Sequence, residues 1–237
     1  MKPTNSWQDA IDAVKPYIFK IATPAGTGTG FLLSHTKTQI LGIATAYHVV
    51  GHAHEWQQLI RVKHFSTGKE VVLSNDKRAI FVYPDKDLAF IMFPSIEKGL
   101  TLPSDDLSTI SHTKRMRVGV EIGWCGFPYI QQDDLCFFNG HISCWIEGEK
   151  AYLVDGVAIN GVSGGPAIQM NAEVMGVVSA YIPNKATGEN LPGVCVIRDV
   201  SPYKDELEVF KNFKEAEDKA EQQRAKQAQP AQPANNP

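Results

Sequence analysis

In Asn160-Gly161-Val162-Ser163-Gly164-Gly165-Pro166-Ala167 one serine stands between glycines, and a proline closes the run. Glycines on both sides leave the backbone free to expose the hydroxyl and let a second chain approach closely. The N–H groups of Gly161 and Ser163 can then aim at one point, an oxyanion hole. A serine hydroxyl is a poor nucleophile at neutral pH and needs a base. All seven histidines (35, 48, 52, 54, 64, 112, 141) precede Ser163. His48, in Ile43-Ala44-Thr45-Ala46-Tyr47-His48-Val49-Val50, supplies an imidazole. An imidazole in this role needs a carboxylate to fix its tautomer, and Asp87 in Asp85-Lys86-Asp87-Leu88-Ala89-Phe90-Ile91 provides one. Asp85, behind Pro84, reads as a solvated turn residue. Asp87 enters an apolar strand, where a carboxylate requires a reason to be.

Chain order separates the possible scaffolds. Gly161-x-Ser163-x-Gly165 fits the nucleophile elbow of α/β-hydrolases, but there the histidine follows the serine. An aspartate before the histidine would be needed for subtilisin order. Asp9 and Asp12 exist, yet both lie in a predicted helix without a matching motif. The order His48, Asp87, Ser163 remains. His48, His52, His54 and Glu55 lack the second histidine of H-E-x-x-H, and read as a polar loop rather than a metal site. Gly26-Thr27-Gly28-Thr29-Gly30 lacks the Lys-Ser/Thr ending of a phosphate loop, and reads as a hairpin beside the cleft.

The surrounding texture is that of strands. Residues 1–16 read as a short helix, with Trp7, Ile11 and Val14 at helical spacing and Pro16 ending it. Short β-branched and aromatic runs follow, punctuated by Gly, Pro, Asn and Asp. They predict strands at 17–21, 28–34, 40–46, 59–65, 70–73 and 88–93, then at 118–124, 137–145, 151–158, 173–182 and 194–197. Many short strands at near-regular spacing indicate an all-β sandwich or barrel. The stretch 95–111 reads as a linker, so the simplest architecture is two barrels, at 17–94 and 112–200. Ser201-Pro202 would start a C-terminal helix over 201–214, with Leu207, Phe210 and Phe213 packing on the second barrel. Residues 215–237, rich in Glu, Lys, Gln, Ala and finally Pro, are expected to form a frayed, flexible tail.

Composition narrows the function. Of 237 residues, 43% are hydrophobic and 21% charged, enough to build a core. Lys plus Arg number 23 against 26 Asp plus Glu, without the basic excess of a nucleic-acid binder. No apolar run is long enough for a membrane span, and the start lacks an apolar leader core. Cys125, Cys136, Cys144 and Cys195 form no C-x-x-C pair. With their apolar neighbours they read as four reduced, buried thiols, which points to the cytoplasm.

Thr45-Ala46-Tyr47-His48-Val49-Val50, Asp87-Leu88-Ala89-Phe90 and Gly161-Val162-Ser163-Gly164-Gly165-Pro166 together resemble the three signatures of trypsin-like serine proteases. Gly28-Thr29-Gly30-Phe31-Leu32-Leu33, the run from Val118 through Phe127-Pro128, and Glu173-Val174-Met175-Gly176-Val177-Val178-Ser179 resemble the bacterial HtrA-type branch. The resemblance covers about residues 17–200. It implies a chymotrypsin-like all-β fold: two six-stranded antiparallel β-barrels, with short N- and C-terminal helices and the active site between the barrels. It further implies a serine endopeptidase acting on a protein or peptide bound as an extended strand, with no metal or organic cofactor. Three departures matter. Tyr47 replaces a small residue and is expected to crowd the base. Val162 stands where trypsin has the acid that pairs with a new N-terminus. Too little sequence follows Val200 for a PDZ domain.

Alignment within the motif puts Val157 at the base of the specificity pocket and Ser179-Ala180-Tyr181 on its wall. An apolar base offers no partner to Lys or Arg, so cleavage is expected after small or medium apolar residues. Two alternatives stay open: a protease-fold module that grips a peptide by strand addition without cutting it, and a latent protease whose loop over 156–163 is switched on by a partner protein.

Overall fold

The computed structural model describes residues 6–94, 99–109, 115–179, 193–200 and 204–228. Helix α1 (Trp7–Val14) is capped by Ser6, whose hydroxyl accepts from the Asp9 N–H, and it buries Ala10 and Val14. A 3-10 turn containing Pro16 ends it. There follow β1 (Ile18–Thr23), β2 (Gly26–His35), β3 (Ile40–Thr45), helix α2 (Tyr47–Glu55), β4 (Ile60–His64), β5 (Glu70–Leu73), β6 (Ala79–Tyr83) and β7 (Leu88–Phe93). These strands form one sheet in the order β5-β4-β1-β2-β3-β7-β6, curled but not closed. The second unit comprises β8 (Glu121–Gly126), β9 (Cys136–Ile146), β10 (Ala151–Asp155), β11 (Pro166–Ile168), β12 (Val174–Ser179) and β13 (Val194–Asp199). It closes into a barrel in the order β10-β13-β12-β11-β8-β9. Helix α3 (Lys204–Ala228) ends the described chain.

The trypsin-like, mostly β architecture stands, with one closed six-stranded barrel and a first unit that is an open seven-stranded sheet. Two strands went unanticipated. β6 lies at a sheet edge with no fully buried residue, so its alternation is weak. β11 is three residues long and hidden in the glycine–proline run after Ser163. The polar loop expected after His48 is instead α2, which buries Val50, Gly51 and Ala53. Helix α3 runs past the expected end at 214 and contacts β2 of the first unit; the side chains of Leu207 and Phe210 lie outside the described residues. Lys214 pairs with Asp106 at 2.8 Å, Thr38 donates to Glu217 at 2.5 Å, and Phe213 is exposed. Ser201 and Pro202 lie outside the described residues.

One buried cluster runs through both units. It joins Tyr17, Phe31 and Phe90 of the first to Cys125, Phe127, Ile168 and Val174 of the second. A smaller one, with Ile122, Trp124, Val154 and Ile197, fills the closed barrel. Each fully buried large side chain contributes about 1.5–3 kcal/mol. All four cysteines are free. Burial pushes the Cys125 and Cys195 thiols up to about 12, whereas Cys136 and Cys144 are only half-buried, contrary to expectation. Among the described residues no helix is long and apolar enough to cross a membrane.

Candidate active site

β3 delivers the chain into α2, and His48 falls in the first turn of that helix. Asp87 closes a 3-10 turn, its N–H donating to the Pro84 carbonyl, and adopts the left-handed region at φ 49°, ψ 48°. Aspartate tolerates that conformation better than most residues. Its carboxylate collects three donors. The His48 backbone N–H donates to Oδ1 at 3.0 Å. The ring Nδ1 lies 3.0 Å from Oδ1 and 2.9 Å from Oδ2. The Ser179 hydroxyl donates to Oδ2. Burial alone would raise the Asp87 pKa. The hydrogen bonds and charge of His48, with the Ser179 hydroxyl, outweigh it and hold the carboxyl below its ordinary value. A carboxylate acceptor assigns the proton to Nδ1 and leaves the Nε2 lone pair free. Asp85 is exposed in the preceding turn.

Ser163 sits in the loop between β10 and β11 and is buried. Its carbonyl accepts from the Thr29 N–H at 2.8 Å. The next N–H, of Gly164, donates to the Val178 carbonyl at 2.7 Å, tying the loop to β12. Gly161 has φ +96°, and a Cβ there would stand 2.2 Å from the Phe127 carbonyl oxygen, so only glycine fits. The Asn160 carbonyl accepts from the Tyr129 N–H at 2.7 Å. Across a trans peptide the next N–H points the opposite way, so the Gly161 N–H is turned from Tyr129. Neither the Gly161 nor the Ser163 N–H has a hydrogen-bond partner among the described residues. These are two donors available to an incoming oxygen. Val162 between them is fully buried.

His48, Gly161 and Ser163 line one cleft of about 550 Å³, with Thr27, Tyr129 and Asn160 among its other walls. No hydrogen bond joins the Ser163 hydroxyl to His48 among the described residues. Such contacts are often long before substrate binds and tighten afterwards. Tyr47 does not crowd the base. Its ring lies over Gly51 along α2, its hydroxyl donates to Glu55, and it is no part of the cleft wall.

Of the residues expected to set specificity, neither of the two described ones lines the cleft. Val157 is half-exposed and does not line the cleft. Ser179 is buried with its hydroxyl on Asp87, a role the sequence reading missed. Ala180 and Tyr181 lie outside the described residues. Tyr129, Asn160 and Thr29 were missed as well, because their contributions come largely through backbone groups or a buried hydroxyl. A polar residue between two glycines inside a strand was the one available hint of Thr29.

Two β units, with a carboxylate-bound histidine on the first and a glycine-flanked serine on the second opening on one cleft, define the chymotrypsin-like class of fold. The profile of the trypsin-like peptidase domain matches residues 28–177, and the chain belongs to that family. Among solved structures it is similar to Rv3671c from M. tuberculosis H37Rv, in an inactive form carrying a serine-to-alanine substitution. The two share 18% identity with a TM-score of 0.59, over 90% of this chain and 96% of that one, a likeness of fold alone. No curated protein matches the chain.

Proposed function

We propose that this chain is a serine endopeptidase that cleaves peptide bonds through an acyl-enzyme. The observation that carries the reading is the His48 ring, held by Asp87 at the wall of the cleft where Ser163 and two unengaged N–H groups meet. As Ser163 Oγ attacks the carbonyl carbon, His48 Nε2 takes its proton. The Gly161 and Ser163 N–H groups receive the negative oxygen of the tetrahedral intermediate. Asp87 stabilises the imidazolium, which returns the proton to the leaving amine. Water then repeats the sequence and frees the acid. The preference for small or medium apolar residues before the cut bond follows from the motif alignment alone, since Val157 lies off the cleft wall, and a peptide library tests it. A profile dominated by Lys or Arg contradicts it.

A fluorophosphonate probe tests the mechanism. Wild-type protein should be labelled and Ser163→Ala should not. The missing Ser163–His48 hydrogen bond favours one further reading, a latent enzyme activated by a partner. Its mark is labelling that appears only on addition of cell lysate.

A further inference from the structure

We infer that Thr29 is a positioning residue for the oxyanion site, its buried hydroxyl bridging the Phe127 N–H and the Gly161 carbonyl; the inference rests on the proposed function. Thr29 is wholly buried on β2 and does not line the cleft, so it acts through the loop. Its Oγ1 accepts from the Phe127 N–H at 3.0 Å and donates to the Gly161 carbonyl at 2.8 Å. The direction is fixed, because an amide N–H cannot accept and a carbonyl cannot donate. Its backbone N–H holds the Ser163 carbonyl, and its carbonyl accepts from Thr45 Oγ1 at 2.7 Å, three residues before His48. One residue therefore links β3, the strand that leads to the base, to the loop carrying the nucleophile.

The consequence falls on Gly161. Glycine at φ +96° has several backbone alternatives of similar energy. The peptide unit before it is held by the Asn160 carbonyl on Tyr129, and the unit after it by its own carbonyl on Thr29. With both planes held, the Gly161 N–H has one direction. Replacing the hydroxyl by a methyl of equal size leaves the Gly161 carbonyl and the Phe127 N–H unpaired in a dry interior, a state the loop relieves by turning.

Thr29→Val, Thr29→Ser and Thr29→Cys in the full chain test this, read by steady-state kinetics, thermal unfolding and amide exchange over residues 156–165. Thr29→Val should lower kcat at least about tenfold with KM little changed, since misaimed oxyanion donors act on the transition state. Its loop amides should exchange faster. Thr29→Ser keeps the hydroxyl and should hold kcat within about threefold of wild type even where the lost methyl lowers its melting temperature. Should Thr29→Val not fold, Thr29→Cys, whose thiol bonds more weakly, should show the same changes in smaller degree. Loop exchange unchanged in the folded variant overturns the inference, as does kcat that tracks melting temperature across the series. Absence of fluorophosphonate label on wild-type protein both alone and with added cell lysate overturns the proposed function instead, and loop exchange still decides the role of Thr29.

Discussion

Asp87 holds its charge at a mostly buried site because three donors converge on it, and its substitution has two separable effects. Asparagine would present an amide N–H to Nδ1, forcing the imidazole proton onto Nε2. Asp87→Asn should cost on the order of 10⁴ in kcat, measured with a peptide substrate. The second effect is on stability. The native carboxyl titrates below its unfolded value of about 3.9, so its stabilisation is complete above that pH and is lost as pH falls through the native value. The denaturation midpoints of wild type and Asp87→Asn should therefore differ at pH 7 and converge as pH drops below about 4; a gap unchanged at pH 3 would place the stabilisation elsewhere. Ser163 behaves oppositely. It lines the cleft and its hydroxyl has no hydrogen-bond partner among the described residues, so Ser163→Ala should abolish turnover while melting at or above wild type.

The elements that place these side chains differ in how plainly the chain announces them. β3 and β7 are runs of apolar residues, nearly all of them buried, and the residues leading into α2 and β7 carry the His48 and Asp87 motifs, so both were legible. Helix α2 was not, because Gly51 and three histidines mimic a polar loop; its stability comes from burying Val50 and Ala53, which is tertiary and invisible to local propensity. The placement of α3 was obscured for a similar reason: Lys214–Asp106 and Thr38–Glu217 unite residues more than a hundred positions apart. The loop bearing Ser163 was legible in its glycines, but not in what each one is for. Gly164 has φ +87°, and a Cβ there would lie 2.1 Å from the Thr29 carbonyl oxygen and 2.2 Å from Thr45 Oγ1. Gly164→Ala should destabilise by about 3 kcal/mol or more and abolish probe labelling. Normal labelling with an unchanged melting point would show that the loop has slack where the packing shows none.

At the scale of the whole molecule the cleft is a seam between two units, yet the apolar core does not stop there. Phe127 is buried, its ring centroid 5.8 Å from that of Phe65 across the seam, in the same cluster as Phe31 and Val174. Thr29 crosses the seam as well, through bonds to Phe127, Gly161 and Ser163. Two units sharing a desolvated interface and buried hydrogen bonds lose both when either unfolds, so neither keeps its full stability alone. The chain should therefore unfold in one transition, with near-ultraviolet circular dichroism, tryptophan fluorescence and far-ultraviolet circular dichroism superimposing along a denaturant series. Tryptophan fluorescence reports on the barrel through Trp124, fully buried there, and on the seam-side helix α1 through Trp7, which packs against Phe137 of β9. Phe127→Ala deletes the largest side chain of the second unit in the shared cluster and should cost about 3–5 kcal/mol. If the seam couples the units, that variant still unfolds in one transition and simply shifts its midpoint; if the units are independent, the fluorescence and far-ultraviolet curves separate, and the cleft is then a hinge between bodies able to part while each stays folded.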